Sequence, residues 1–492
     1  MVSEAAVFER SGIDKGAVMR SSQIRHLLSG LGRPTSRTSA AAGLLDVGES
    51  SAVALARPPS ELSPRDEVAF LLHVDAEIEH CLMVQYLYAA YSLGGPQVPA
   101  HRRELVRGWQ EVILGIAKEE MGHFISIQNV LRLIGAPLNL TREDFPWDVP
   151  FYPFPFMLEP LTLDSLAKYV FAESAVDWTG ALAEEIRQRV EKSSPTPHRV
   201  SELFDRLIPL VKDPSSIPDD AFQARTYPFQ ANWAEWGRGY QGGHRGNATG
   251  ANPPATPDVL VTELASRDDA ANALHQIAEQ GEAPHASSTD APSHFARFVK
   301  IYLEMKETEG EGWSAARPVA VNPYIGEEPA HGGACSLITN PTAVMWAQLH
   351  NVRYRMLLAF LAHTFVLDGG LSAAGAATPR GVIINATFGE MYNLRAIALL
   401  LMQMPLDESD PSSGLAGPPF QIPYTLDPPL GESNRWRLHL DLLEASDGLV
   451  TALLALGMPA QRDYLVSLRE ADGRMRLTTE RILAMYVDKA LT

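Results

Sequence analysis

The chain has 492 residues, with 41 Lys+Arg against 59 Asp+Glu, a formal net charge of −18. That acidity argues against a phosphate-gripping nucleic-acid binder and against docking on an anionic membrane. Hydrophobic residues at 46% and charged residues at 20% give the balance of a globular protein with ample core, long enough for about three domains or one large one with insertions. Two cysteines, Cys81 and Cys335, exclude a disulfide scaffold and a thiolate zinc site, and fit a cytoplasmic setting. No signal-like apolar core opens the chain. The longest apolar runs, around Met356–Leu367 and Ala396–Met402, are too short to span a bilayer.

Residues 1–62 are rich in Ser, Ala, Gly and Arg, and read as a mobile arm with one short helix near Ser22–Leu31. A helix start follows, with Ser63 placed to cap, Pro64 at the first position, and Asp66 and Glu67 at the positive end of the dipole. This first helix runs to Leu93 and stops at Gly94-Gly95-Pro96. A second runs from near Ala100 to Ile134, closed by Gly135 and Pro137. Asp144–Pro160 carries too many prolines for a helix and too many aromatics for a solvated loop, so it packs across helices or lines a pocket mouth. Helical periodicity returns over Leu163–Val190, Arg199–Lys212, Val259–Gln280 and Ser293–Glu307, with a long irregular excursion at Pro214–Pro257. Further helices are expected over Val344–Val366, Glu390–Gln403 and Asn434–Leu456, with a Gly/Pro break at Pro411–Pro429. The fold class is mainly α.

On the second helix, Ile113, Ile116, Ala117, Phe124, Ile127, Leu131 and Ile134 form an apolar stripe, and Glu120 and His123 lie on it. A buried carboxylate needs a partner. A divalent metal is the natural one, because Glu-x-x-His is the repeating unit of di-iron and di-manganese carboxylate bundles. Glu119 points about 100° away and reads as solvated or as an outer residue. On the first helix Leu72, Ala76, Glu79, Met83, Tyr86 and Ala90 share a face, so Glu79 also points inward, with Tyr86 two turns on. The rival set His73, Glu77 and His80 reads as an exposed polar face.

The runs EIEHCLMVQYLYAAYSL (Glu77–Leu93) and KEEMGHFISIQNVLRLIG (Lys118–Gly135) resemble the ferritin-like domain family. That family includes iminophenylpyruvate dimer synthase-type proteins and the ferritin-like part of violacein- and rebeccamycin-pathway enzymes that couple two amino-acid-derived imines. VSELFDRL (Val200–Leu207), IAEQGEA (Ile277–Ala283), SHFARFVKI (Ser293–Ile301) and AGPPF (Ala416–Phe420) extend the resemblance, which covers about Glu61–Glu307 well. It implies a helical bundle with metal ligands on successive helices. Glu79, Glu120 and His123 carry over directly; Glu202, Glu279 and His294 are nominated by the later motifs, with Glu282 on the same face as Glu279. Two alternatives stay open: Glu173, which sits between Val170 and Val176 on an inward stripe, in place of Glu202, and His275 in place of His294. The chain lacks the length of the large extra module of the bis-indole enzymes, so their substrate does not simply transfer.

These readings lead to a ferritin-like bundle over residues 63–310 with long irregular insertions, and a C-terminal helical region over 311–492 packing on it. Two divalent metals, iron or manganese, with O₂ or peroxide as oxidant and Tyr86 assisting, suit an oxidoreductase. It would act on a small amino-acid-derived molecule in specialised metabolism, with the two insertions building the substrate pocket. The alternatives are a coupling enzyme of the imine-dimer type and a non-catalytic iron-binding protein. Neither nucleic acid nor membrane is an expected partner, and a homo-oligomer is compatible with the sequence.

Overall fold

The computed structural model describes residues 61–147, 152–194, 197–222, 224–236, 240–241, 244–245, 259–282, 292–329, 334–367, 378–422 and 426–490. The expected arm and its short helix lie outside these, apart from residues 61 and 62. Helix α1 (Pro64–Ser92) starts as its sequence dictates, with the Ser63 hydroxyl accepting from the Asp66 amide at 3.2 Å. Gly94 and Gly95, at φ of 87° and 114°, end it in a conformation that side chains disfavour. Helix α2 (Arg103–Leu133) returns antiparallel. Gln110 Nε2 donates to the Ala90 carbonyl at 2.8 Å near one end, and Arg65 donates to the Ile134 carbonyl at the other.

Around this pair stand α3 (Leu163–Ala172), α4 (Ala181–Glu191), α5 (Ser201–Lys212), α6 (Arg267–Glu282) and α7 (His294–Glu307). Helix α5 packs on α1 and α6, both α6 and α7 pack on α2, and α3 packs on α7. A second group of helices follows: α8 (Pro341–Thr364), α9 (Pro379–Leu401), α10 (Glu432–Ala455) and α11 (Pro459–Ala490). They bury one apolar cluster around Trp346 and Leu401 and another around Phe360 and Trp436, while α9 also lies against α1. Among the described residues, the only strands are two-residue pairs, Tyr240–Gln241 with His244–Arg245 and Pro323–Tyr324 with Ser336–Leu337. No described helix is long and apolar enough to cross a membrane.

Several expectations are corrected. The stretch Leu163–Val190 is two helices, because the chain turns between Glu173 and Gly180, where Gly180 takes φ of 115°. Val176 consequently faces solvent at 49% exposure instead of continuing an inward stripe. The expected start at Val259 is non-helical. Residues 259–264 lie along α2, where Asn129 Nδ2 donates to the Thr262 carbonyl at 2.9 Å and Ser126 donates to that of Leu260. Gly122 permits this approach, since a Cβ there would stand 3.0 Å from the Leu260 amide nitrogen. Helix α11 was not foreseen: its buried apolar residues, such as Leu465, Leu468 and Ile482, are sparse among charges.

The face of α1 read as exposed is also buried. Glu77 and His80 are 3% and 0% exposed, because the C-terminal helices and the aromatic loop cover them. His80 Nε2 meets the Tyr354 hydroxyl of α8, and Glu77 accepts from the Tyr152 hydroxyl at 2.5 Å. Tyr152 packs edge-on against Trp147, ring centres 4.8 Å apart, so the described residues of this segment pack across the helices.

Within the second helical group, His350 is fully buried, with its ring edge-on to Phe420 and neither nitrogen hydrogen-bonded among the described residues. Burial pushes its imidazolium down to about 3. A folded-state value below the unfolded one leaves stability intact above about pH 6.5 and erodes it as pH falls toward 3. His350→Leu is therefore expected to remove about 2 kcal/mol of the stability loss between pH 7.5 and pH 5, measured as paired urea-unfolding curves at the two pH values.

Candidate metal centre

Five side chains from four places in the bundle converge between α1, α2, α3 and α7. Glu79 comes from α1, Glu120 and His123 from α2, Glu173 from the residue that caps the end of α3, and His294 from the first position of α7. All are buried, none more than 4% exposed. They form two triads, Glu79–Glu120–His123 and Glu120–Glu173–His294, each with one ligand atom per residue within 4.8 Å of the others. Glu120 belongs to both.

The imidazoles are used in the same way on the two sides. His123 Nδ1 lies 2.8 Å from Glu120 Oε2 and 3.3 Å from Glu79 Oε2, while its Nε2 is 2.8 Å from Gln280 Oε1. His294 Nδ1 lies 2.9 Å from Glu120 Oε1 and 3.6 Å from Glu173 Oε2, and its Nε2 donates to Glu119 Oε2 at 2.8 Å. An acceptor outside the cluster at Nε2 places the proton there and turns the Nδ1 lone pair inward, the usual outer support of a metal-ligating histidine. Arg297 forks onto Glu119, with Nη1 3.0 Å from Oε1. Tyr86 donates its hydroxyl to Glu173 Oε1 at 2.5 Å and packs between Tyr169 and Phe298.

The residues fit a pair of cations. Glu79 Oε2, Glu120 Oε1 and His294 Nδ1 are buried and lack any aligned hydrogen bond, although Glu120 Oε1 and His294 Nδ1 are only 2.9 Å apart. Atoms that approach so closely without aligning on one another are arranged as co-ligands aimed at a common point. Carboxylate oxygens with imidazole nitrogens suit iron, manganese or zinc, and exclude the thiolate chemistry of copper(I). The electrostatics agree. Burial works against charge on His123, but Glu79 and Glu120 outweigh it and raise the imidazole to about 10. Burial also opposes ionisation of Glu119, yet His294 and Arg297 hold it down to about 2. Burial and the Glu120 charge push Glu79 up, and the same two causes raise Glu173. A cluster this rich in carboxylates draws positive charge from whatever is near.

Of the expected ligands, Glu79, Glu120, His123 and His294 are brought together. Glu202 is not: it stands at the start of α5, 30% exposed at the side chain, with Oε2 3.4 Å from His198 Nδ1. Glu173 takes the place it was expected to fill, because the α3 turn ends the helix with that side chain inside. Glu279 is solvent-exposed on α6, and His275 is exposed with Nε2 2.8 Å from Lys212 Nζ. The inward positions of α6 are instead Gln280 and Gly281, where a Cβ at Gly281 would sit 3.1 Å from Glu173 Oε2. Glu282 ends α6, and its side chain lies outside the described residues. Glu119 is an outer residue, buried rather than solvated. Sequence reasoning missed Gln280 and Arg297. The signal for Arg297 was its position one turn after His294, on the same side of α7.

Residues 72–303 match the ferritin-like family model. This stretch is a ferritin-like domain. The chain is 29% identical over 399 residues to dichlorochromopyrrolate synthase from Lentzea aerocolonigenes, covering 74% of this chain and 37% of that protein. It is 24% identical over 402 residues to 2-imino-3-(indol-3-yl)propanoate dimerase from Chromobacterium violaceum, covering 74% of this chain and 35% of that one. The alignments thus span little more than a third of the length of these relatives. A solved ferritin-like protein from Caulobacter vibrioides aligns over 70% of this chain and 96% of its own, at 18% identity and a TM-score of 0.39.

The ferritin-like domain shares a large cavity with the C-terminal helices, about 730 Å³ in volume. Its walls include Met83 and Leu87 of α1, Ala117, Met121 and Phe124 of α2, Tyr354 and Leu358 of α8, and Thr387 and Met391 of α9. Among the described residues, the excursion at Pro214–Pro257 contributes only Trp236, and Asp144–Pro160 contributes none. The C-terminal helices supply much of the wall that the insertions were expected to build.

Alanine at Glu120, His123 or His294 is expected to cut bound metal severely while far-UV circular dichroism stays helical. Alanine at Glu202, His275 or Glu279 should leave metal content unchanged, with elemental analysis of chelator-free preparations as the measurement.

Proposed function

We propose that this protein is a dimetal enzyme of specialised metabolism that oxidises or oxidatively couples a small amino-acid-derived substrate. The observation that carries the reading is the double membership of Glu120, a single buried carboxylate placed between two Glu/His triads. That is the donor set of a carboxylate-bridged pair of iron or manganese ions. When bound, such a pair supplies redox chemistry with O₂ or peroxide.

The chain's own residues do the rest. Glu79 and His123 would hold one ion, Glu173 and His294 the other, with Glu120 between. Tyr86 positions Glu173: burial and the Glu173 charge push its phenol well above the ordinary range, so the proton stays on the hydroxyl and bonds to Oε1. The Arg297–Glu119 pair fixes His294 from behind. The cavity suits the substrate, since its volume of about 730 Å³ lies within the ~300–1,000 Å³ common for small-molecule sites. Its wall is mostly apolar and aromatic, with two cations, Lys118 and Arg395, against one carboxylate, Glu111, a balance that suits a substrate carboxylate. It also adjoins the metal residues along the chain: Met83 follows Glu79 by one turn, and Ala117 and Phe124 flank Glu120 by one turn each. The reading includes a cytoplasmic setting.

A second reading has specific support. One relative is named a synthase and the other a dimerase, and a cavity this roomy suits two substrate molecules held side by side, with the metal structural or lost. The experiment presents the full chain with aromatic 2-imino acids, generated in place from amino acids by an amino-acid oxidase. Metal-loaded, chelator-stripped and Glu120→Ala proteins are compared by mass spectrometry of products. Product from the metal-loaded protein alone is the expected result. Equal product from all three would favour the coupling reading without metal chemistry, and bound iron without any turnover would leave an iron-binding protein.

A further inference from the structure

Outside the triads, other buried polar residues of α1 each have at least one hydrogen-bonded side-chain atom. Glu67 pairs with Arg206 at 2.6 Å, Glu77 with Tyr152, His80 with Tyr354, and Gln85 accepts from the Met157 amide at 3.0 Å. Asp75 is different. It is 0% exposed, and neither carboxyl oxygen has a hydrogen-bond partner among the described residues. An unmatched buried carboxyl costs several kcal/mol in general, so a fold retains one only where something else meets it.

The charges that bear on Asp75 are those of His123, Glu120 and Glu79. All belong to the triad on one side of the metal centre, and Asp75 precedes Glu79 by one helical turn on α1. Neither Glu173 nor His294 is among the groups that bear on it. Asp75 is not one of the triad whose ligand atoms lie within 4.8 Å of one another, so it lies outside that group. Burial raises its carboxyl to about 8, consistent with the lack of a partner.

We propose that Asp75 is a further positioning residue of the centre, an outer acceptor that reaches the ion held by Glu79, Glu120 and His123 through one coordinated water. The proposal rests on the dimetal reading and makes the two positions unequal. One side carries an acceptor carboxyl at Asp75. The other has Tyr86 donating to Glu173 and an Arg297–Glu119 pair behind its histidine.

The test titrates manganese(II) into chelator-stripped full-length protein, following free ion by electron paramagnetic resonance, and records the melting temperature of each metal-free form. Wild type should take two equivalents. Asp75→Leu should weaken one of them by about 10–100-fold, the usual effect of losing an outer support, and spare the other. Asp75→Asn, which keeps an acceptor oxygen, should fall between, and it carries the test if the leucine variant does not fold. Metal-free Asp75→Leu should melt at or above metal-free wild type, because the unmatched carboxyl is gone; a structural role would lower it. Two equivalents in wild type with unchanged affinities in both variants, or a lowered metal-free melting temperature, overturn the assignment of Asp75 alone. Equal weakening of both equivalents overturns the assignment to one side. No stoichiometric manganese in wild type overturns the dimetal reading and this inference together.

Discussion

The architecture turns on one carboxylate. Glu120 is buried to 2% exposure with an imidazole nitrogen within 3 Å of each oxygen, His123 on one side and His294 on the other. Burial alone would drive such a group toward its neutral form, but the two imidazoles keep it ionised. Everything nearby then has to carry compensating charge or neutral donors. Arg297 answers Glu119, Tyr86 answers Glu173, and Gln280 answers His123. The apolar residues around them raise the value of each contact by excluding water.

This requirement explains why the helices take the positions they do. Residues 259–264 can approach α2 because Gly122 has no side chain, which lets the chain reach α6 and bring Gln280 to His123. Gly281, next along, leaves room for Glu173. The turn that ends α3 at Glu173 sends that carboxyl inward, whereas a continuous helix to Val190 would have carried its neighbours past the site.

Half of the centre was legible from periodicity. Glu79, Glu120 and His123 lie on uninterrupted apolar stripes of long helices, so rotation about the helix axis is fixed by many residues at once. His294 came through the family resemblance. The remainder depended on helix ends and on distant chain. Glu173 lies on an inward stripe, but one motif points to Glu202 and nothing local announces the turn after Ala172. Glu279 and Gln280 differ by about 100° around α6, and the short apolar pattern there could not decide between them. The α1 face reads as solvated from the sequence because its partners, Tyr354 and Tyr152 among them, come from remote segments.

The seam between the ferritin-like domain and the C-terminal helices has a practical meaning. Arg380 of α9 binds both oxygens of Glu235, at 2.7 and 3.0 Å, and the Gln230 carbonyl at 2.8 Å, with all of these groups buried. Arg142 donates to the Phe420 carbonyl, and Arg132 to that of Phe365. A fragment cut to the family boundary would strip Glu235 of Arg380, His80 of Tyr354 and Arg142 of the Phe420 carbonyl, and would remove the wall that α8 and α9 give the cavity. Attempts to graft this centre onto a shorter scaffold, or to recombine it with the corresponding part of a relative, therefore have to move the C-terminal helices with it.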